Sequence, residues 1–208
     1  MLRLSLVLAI ALGAFVQSCG RGTPRTGYQR VDGRWAWVAD AASFLQHAQP
    51  LDVDDGTFEI LDDGYARDAH QVFYEGAPVD RADAASFQAL GGFYGRDRSR
   101  VYLAVHQIPG ADPASFETLA MPYARDARDV YYGTVPMRVA DPAGFRVVTP
   151  GGGIAVTPVR YLADLHGALA DTLLARGYAP DSVVVVGTAG LGAARAGERR
   201  YEGARPLP

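Results

Sequence analysis

The 208-residue chain contains one cysteine, Cys19, and no lysine. A single thiol cannot form an internal disulfide, so the fold has to be stabilised by its hydrophobic core. All 20 basic residues are arginines, which we interpret as the codon usage of a GC-rich genome rather than a special role of the guanidinium group. The formal net charge of −3 gives no basic surface and so argues against a nucleic-acid partner.

The N-terminus has the pattern of a secretory signal peptide. Arg3 gives a short basic head, residues 4–16 form an apolar stretch, and Ser18 provides a small residue before a break. The apolar stretch is too short for a membrane span. The sequence therefore predicts export, with a signal peptide over residues 1–18 and a mature chain that begins at Cys19.

Val16, Ser18 and Cys19 resemble the lipobox of bacterial lipoproteins, which has an aliphatic residue at minus three and a small residue at minus one. The resemblance implies acylation of Cys19 and stable anchoring through several acyl chains. The alternative is simple secretion with an incidental cysteine. An acylated Cys19 would leave no thiol for a disulfide, a metal or a nucleophile.

The resemblance also implies a location in the cell. Gly20 follows the cysteine instead of the aspartate that marks inner-membrane retention in enteric bacteria. We therefore expect attachment to the outer membrane, facing the periplasm, in preference to the inner membrane. Residues 19–27 are expected to form a lipidated, flexible tether.

An internal repeat with a period of 29 residues dominates the mature chain. Asp54, Asp83, Asp112 and Asp141 keep this spacing, and each stands four residues before a phenylalanine. A degenerate earlier copy is visible over residues 28–44. The members at equivalent positions are Tyr65, Tyr94 and Tyr123; Asp68, Asp97 and Asp126; Val72, Val101 and Val130; and Phe87, Phe116 and Phe145.

Each repeat predicts a β-hairpin. Residues 123–125 and 130–132 are aromatic and β-branched segments on either side of a short polar turn. Asp126 suits this turn because its carboxylate can accept a backbone N–H two residues on. Val130 and Tyr132 should share one face of the sheet, and the segment from Asp141 should form a corner that delivers Phe145 into the core. We interpret these twelve repeated residues as structural.

The motif Tyr-Ala-Arg-Asp-Ala-Arg-Asp-Val-Tyr-Tyr at residues 123–132, followed by Asp-Pro-Ala-Gly-Phe at 141–145, resembles the DKNYY family of bacterial envelope proteins. The resemblance covers residues 54–148 and, more faintly, 28–53. It implies a repeated β module that is often exported and lipidated. It implies no known activity and no catalytic residues.

The C-terminal part is predicted to differ from the repeat. Residues 149–153 form a break, and Leu162, Leu165, Leu169 and Leu173 fall on one face of a helix that Gly177 should end. A buried strand is expected over residues 182–186, with the helix and strand covering the repeat sheet. The tail over residues 192–208 is expected to be disordered. The fold class is thus mainly β (α+β in all): β-hairpin repeats over 28–148 and a helix–strand segment over 149–191.

Three patterns that suggest chemistry are weak. The motif Asp-Val-Asp-Asp-Gly at residues 52–56 has the wrong register for an EF-hand and is better explained as a turn. The glycine-rich stretch at residues 187–192 fits neither nucleotide-binding motif. His47, His70, His106 and His166 show no metal-ligand spacing, so we predict no catalytic residues, no metal and no cofactor.

Three hypotheses for the function remain open. The favoured one is a non-catalytic binding or accessory lipoprotein of the bacterial envelope, with an unknown protein or glycan partner. The alternative to a structural role of the repeated tyrosines is an exposed row of them that binds a glycan or a peptide. The rival is a hydrolase-like envelope enzyme that uses Asp164 and His166 where the C-terminal segment meets the repeats. The third is a purely structural lipoprotein.

Overall fold

A computed structural model describes residues 26–39, 47–62 and 64–208, without the side chains of His47 and Leu165. The signal peptide, Cys19, the tether up to residue 25 and the Asp40 to Phe44 part of the degenerate copy lie outside the described residues. The described chain is mainly β, built from small antiparallel sheets that follow one another along the sequence. The prediction of tandem β-hairpin repeats is confirmed.

The chain begins with a leading unit, a three-stranded antiparallel sheet. Its strands are β1 (Gly27–Val31), β2 (Arg34–Ala39) and β3 (His47–Pro50), in that spatial order. Tyr28, Ala36 and Val38 are its buried residues, and Tyr28 shares a core cluster with Ala66 and Phe73 of the next unit. The degenerate copy therefore belongs to the array.

Three complete units follow, each a four-stranded meander. The first unit (residues 54–82) contains β4 (Glu59–Ile60), β5 (Tyr65–Arg67), β6 (Val72–Tyr74) and β7 (Ala77–Pro78). The second unit (83–111) contains β8 (Gln88–Gly91), β9 (Tyr94–Arg96), β10 (Val101–Leu103) and β11 (His106–Gln107). The third unit (112–140) contains β12 (Glu117–Thr118), β13 (Tyr123–Arg125), β14 (Val130–Tyr132) and β15 (Val135–Pro136).

The two central strands of each unit pair in the same register. Tyr65 lies opposite Tyr74, Tyr94 opposite Leu103, and Tyr123 opposite Tyr132. Because side chains alternate across a strand, each unit presents apolar residues to both of its neighbours. The core is consequently a chain of buried clusters, one after another, rather than a single central core.

The tail is ordered, and the prediction of disorder over residues 192–208 is wrong. It forms β19 (Ala193–Ala196), β20 (Arg199–Glu202) and β21 (Arg205–Pro206), which pair with β16 (Phe145–Thr149) in a fourth four-stranded sheet. Its polar composition misled the prediction, because only Ala194, Tyr201 and Ala204 of this segment are hydrophobic residues buried in the core.

The tail is the second half of a fourth repeat unit. Gly133 N–H donates to Pro122 O at 2.8 Å, and Gly203 N–H donates to Gly192 O at 2.7 Å. The third unit's bond from Met137 N–H to Val130 O likewise has its counterpart between Leu207 and Arg200. Gly133 and Gly203 are 70 residues apart, 41 more than the period of 29. The fourth unit (141–149 and 191–208) is therefore split by a 41-residue insertion, residues 150–190.

The insertion is a long hairpin that carries one helix. β17 (Gly152–Pro158) pairs with β18 (Val183–Ala189), and a 3₁₀ turn (Val159–Tyr161) leads into α1 (Leu162–Ala175) between them. Leu162, Leu169 and Leu173 are buried, as the helical pattern predicts, and share one core cluster with the third and fourth units. The predicted helix and buried strand are both present.

A close backbone approach joins the insertion to the third unit. Thr134 N–H donates to Val185 O, and Val185 N–H donates to the Thr134 hydroxyl, both at 3.0 Å. Gly133 has φ +65°, and a Cβ on it would stand 2.1 Å from Val185 O. Only glycine fits this position, since any side chain would push β18 away.

The order of the tail can be tested with Tyr201→Ala. Tyr201 is 7 % exposed and packs on Phe145, so we expect a loss of about 3 kcal/mol of unfolding free energy. Urea denaturation would measure it. Tyr161→Ala is the matched control, because Tyr161 is 52 % exposed and should cost less than about 1 kcal/mol. Equal, small effects of the two changes would contradict an ordered fourth unit.

Candidate functional site

The repeated tyrosines connect each unit to the next. The Tyr65 hydroxyl lies 3.0 Å from Phe93 O and 2.9 Å from Ala104 O, the two carbonyls that flank the second unit's hairpin. Tyr94 reaches Pro122 O at 3.1 Å in the same way, and Tyr123 reaches Gly203 O at 2.8 Å in the fourth unit. Burial raises the pKa of all three hydroxyls, which therefore stay protonated and donate.

The leading unit uses the same contact. Tyr28 hydroxyl donates to Gly64 O at 2.9 Å and accepts the Gly76 N–H at 3.2 Å. Burial raises the pKa of Tyr28 to about 12. This tyrosine lies 37 residues before Tyr65 instead of 29, so the fixed period could not identify it as the equivalent residue.

The repeated aspartates organise the turn inside each unit. Asp126 Oδ1 accepts the N–H groups of Arg128 and Asp129 at 2.7 and 2.8 Å, and its Oδ2 accepts the N–H of Asp112 at 2.8 Å. Tyr131 hydroxyl donates to the same Oδ2 at 2.8 Å. Asp68 and Asp97 accept the equivalent N–H groups. Each carboxylate thus joins its own turn to the corner that opens its unit.

These hydrogen bonds also set the charge of the aspartates. Burial disfavours the ionised form, but the backbone N–H donors together outweigh it and lower the pKa of Asp68, Asp97 and Asp126. The carboxylates are ionised at neutral pH and fully used as acceptors. They are therefore structural groups, without a free proton to exchange.

Repeated valines and phenylalanines fill the space between units. Val72, Val101 and Val130 are all fully buried. Phe87, Phe116 and Phe145 each pack on the tyrosine of the preceding unit, with ring centroids 5.0, 5.5 and 5.4 Å apart. Such tilted aromatic pairs add about 0.5–1.5 kcal/mol each beyond their area burial.

A repeated arginine lies at the surface of each complete unit. Arg67 donates from Nε and Nη2 to Glu59 at 3.1 and 3.0 Å, and from Nη1 to Ala84 O of the next unit at 2.9 Å. Arg125 makes the equivalent contacts with Glu117 and Ala143 O. Arg96 has Gln88 in place of the glutamate and meets its amide oxygen at 3.3 Å. The period of these arginines was visible in the sequence, but their contact with the next corner was not.

Two equivalent grooves lie beside these arginines. The groove of the first unit measures about 290 Å³ and that of the second about 320 Å³. They are lined by matching residues: Thr57, Glu59, Arg67, Asp68, Ala69 and Ala84 in the first, and Ser86, Gln88, Arg96, Asp97, Arg98 and Pro113 in the second. The first and second units therefore share an equivalent shallow polar groove.

The alternative of an exposed row of tyrosines is wrong. Tyr65, Tyr94, Tyr102, Tyr123, Tyr131 and Tyr132 are each at most 2 % exposed, and Tyr74 is half-buried. Their recurrence reflects packing and the hydroxyl contacts between units. A partner would have to contact the arginine grooves or another surface.

Asp164 and His166 do not form a common site. Asp164 is exposed on α1, whereas His166 is 2 % exposed and packs edge-on against Tyr132, with ring centroids 5.2 Å apart. Neither nitrogen of His166 has a hydrogen-bond partner among the residues that the structure describes, and burial lowers the pKa of its imidazole. His166 also has non-helical dihedral angles, which kink α1.

The weak motifs have structural roles. Asp54 Oδ1 accepts the Gly56 N–H at 3.0 Å, which makes the acidic stretch a turn. Gly187 O accepts the Tyr132 hydroxyl at 3.3 Å, so the glycine-rich stretch packs on the third unit. Among the described residues, no cluster of histidine and acidic side chains could hold a metal ion, and no helix is long and apolar enough to span a membrane.

The stacked hairpins, joined by tyrosine hydroxyls, define a tandem β-repeat protein. Residues 37–104, which cover the second half of the leading unit and most of the next two units, match the DKNYY family. The recognition of this family from its repeated residues is confirmed over that range. No curated protein and no solved structure matches the chain.

The contact between units can be tested with Tyr94→Phe. This change removes the hydroxyl that donates to the carbonyl oxygens of Pro122 and Gly133 in the third unit. We expect a loss of about 1–2 kcal/mol in chemical denaturation. Tyr161→Phe is the control, since the Tyr161 side chain is half exposed at 52 %. A change of less than about 0.3 kcal/mol in Tyr94→Phe would contradict a stabilising role of the hydroxyl.

The buried His166 predicts a loss of stability in mild acid. Its pKa in the folded state lies below the value of about 6.5 in the unfolded chain, so the unfolded chain binds the proton first. Stability is complete above pH 6.5 and should fall as the pH drops towards 5.

His166→Leu should reduce this fall, as measured by urea denaturation between pH 7 and 5. Burial also lowers the pKa of His106, which makes His106→Gln the comparison for the remaining pH dependence. An unchanged pH dependence in His166→Leu would exclude His166 as the titrating group.

Proposed function

We propose that this chain is a lipid-anchored, non-catalytic binding or accessory module of the bacterial cell envelope. The observation that carries the proposal is that the repeated polar groups of the chain form hydrogen bonds within the array. The tyrosine hydroxyls, the aspartate carboxylates and the arginine Nη1 groups all bond to backbone atoms of the array. Chemistry that recurs in every unit thus builds a scaffold.

The scaffold offers an extended surface of the kind that repeat proteins use for binding. The arginine groove of the first unit recurs in the second, so a partner that lies along the array would meet similar groups in both units. Arg98 is an accessible side chain of the second groove, with 69 % of its side chain exposed. A protein or a glycan of the envelope fits this surface better than nucleic acid, because the chain is acidic.

A further cleft of about 470 Å³ lies at the start of the array. It is lined by Arg34, Trp35, Pro50, Leu51, Asp52 and Asp55, and the Arg30 guanidinium stands 4.7 Å from the centroid of the Trp35 ring. An aromatic ring flanked by charged side chains is suited to a polar ligand with an apolar face. This cleft supports a binding role as well.

The position of Cys19 fits the envelope part of the proposal. Cys19 precedes the first described residue of the leading unit by a few residues only, so a lipid there would hold the array close to a membrane surface. Outer-membrane attachment facing the periplasm is the arrangement that Gly20 favours. No observation on Asp164 and His166 favours the hydrolase alternative, since one is exposed and the other buried.

Cross-linking of the intact protein in its own cells, followed by purification from membranes, tests the proposal. We expect the wild type to fractionate with membranes and to bring down one reproducible partner. Cys19→Ala should leave the membrane fraction, whereas Ser18→Ala keeps a small residue before the cysteine and should remain.

A paired set of surface variants tests the groove. Arg98→Glu should reduce recovery of the partner at least several-fold, and Arg160→Ala on the insertion, with half of its side chain exposed, should not. Recovery of the protein alone from every sample would contradict a binding role. Equal recovery of the partner with both variants would show that the partner does not contact the second groove.

A further inference from the structure

The fourth unit lacks the carboxylate that every complete unit has. Asp126 lies seven residues before Gly133, and the residue seven positions before the equivalent Gly203 is Ala196. Ala196 therefore occupies the position of the aspartate in the fourth unit. A cavity of about 370 Å³ opens there, lined by Arg138, Asp141, Ala196, Arg199, Tyr201 and Pro206 among others. A volume of this size accommodates a small organic ligand.

The donors that bind the carboxylate in other units are still present. Asp112 N–H and the Tyr131 hydroxyl both donate to Asp126 Oδ2, at 2.8 Å each. The equivalents in the fourth unit are Asp141 N–H and the Tyr201 hydroxyl. Neither donates a hydrogen bond to any residue that the structure describes, whereas all three complete units satisfy the equivalent N–H.

The Tyr201 ring is placed like its counterparts. Its centroid lies 5.7 Å from Phe145, compared with 5.8 Å between Tyr131 and Phe116 and 6.0 Å between Tyr102 and Phe87. In the second and third units, this placement directs the hydroxyl to the aspartate, at 3.1 and 2.8 Å. The first unit has Phe73 at this position. The same placement in the fourth unit directs the Tyr201 hydroxyl to the space beside Ala196.

The charge around the cavity favours an anion. Arg138 and Arg199 line it, against one carboxylate, Asp141, whose Oδ1 accepts the Gly144 N–H at 3.0 Å. On the same sheet, Arg146 lies opposite Arg195, at the position where the first and third units pair glutamate with arginine. The glutamate of this pair is therefore replaced by a further arginine in the fourth unit, which makes this sheet more basic than its counterparts.

We propose that the cavity beside Ala196 binds a carboxylate group, which takes the place of the aspartate that the other units carry. The Tyr201 hydroxyl and Asp141 N–H would donate to it, and Arg138 and Arg199 would balance its charge. The proposal gives the proposed binding module a ligand class and rests on that function. Its test is binding to the purified protein, so its failure would leave the cross-linking result unaffected.

The first measurement uses acetate as the probe. The intact protein, purified from membranes in detergent, is heated in rising sodium acetate and, separately, in sodium chloride at equal ionic strength. We expect a saturable rise of the unfolding temperature with acetate only. An acetate response no larger than the chloride response would overturn the proposal.

Variants at the cavity locate the effect. Ala196→Asp should raise the unfolding temperature without ligand and abolish the acetate response, because its own carboxylate occupies the site. Tyr201→Phe should raise the Kd for acetate about tenfold or more, and Tyr161→Phe should leave the Kd unchanged. An undiminished acetate response in folded Ala196→Asp would exclude this cavity. Should that variant not fold, an unchanged Kd in Tyr201→Phe would exclude it instead.

Two probes distinguish the source of the carboxylate. The free acid of N-acetyl-Gly-Gly is compared with acetate, and its C-terminal amide serves as the matched control. Binding of the free acid at least tenfold tighter than acetate identifies the end of a peptide chain as the ligand. Equal binding identifies a small free acid, and equal binding of acid and amide would overturn recognition of a carboxylate.

Discussion

A buried phenol hydroxyl has to donate its hydrogen, because leaving it unpaired away from water is unfavourable by about 1–3 kcal/mol. For the tyrosines that join the units, the acceptor belongs to the following unit. Tyr65 donates to carbonyls of the second unit, Tyr94 to the third and Tyr123 to the fourth. Each unit is therefore complete only when its neighbour is in place, and the contacts of each phenylalanine with the tyrosine of the preceding unit depend on this arrangement.

The repeated sequence predicted what is local and periodic. The hairpin over residues 123–132, the turn at Asp126 and the corner before Phe145 all follow from spacing and turn chemistry, and the structure has them. The faces of β14 were also predictable, since Val130 and Tyr132 lie in one core cluster and Tyr131 in another. Contacts between units were not predictable, because the sequence does not say which carbonyl a tyrosine will reach.

The fourth unit could not be predicted because the period is interrupted inside it. Ala193 replaces the tyrosine and Ala196 the aspartate, so the two most distinctive residues of the repeat are missing. Arg195, Tyr201, Gly203 and Pro206 remain, at the positions of Arg125, Tyr131, Gly133 and Pro136. These four matches are separated from the rest of the unit by a 41-residue insertion, and they lie in a segment rich in arginine and glycine. The pattern was therefore too weak to identify the segment as part of a repeat. The candidate site shared this difficulty, since it is defined by a residue that is lacking.

The insertion also determines the order in which the chain can fold. The leading, first, second and third units are continuous, and their contacts lie within a few tens of residues of each other. Tyr123 and Gly203, by contrast, are 80 residues apart, and their contact closes only after the last strands have been made. Pairing over such a separation slows folding. In a chain made from its N-terminus, the array would grow unit by unit and leave Phe145 and Tyr123 uncovered until residues 191–208 are available. The contact of Tyr123 with Gly203 is then the last of the contacts between units to form.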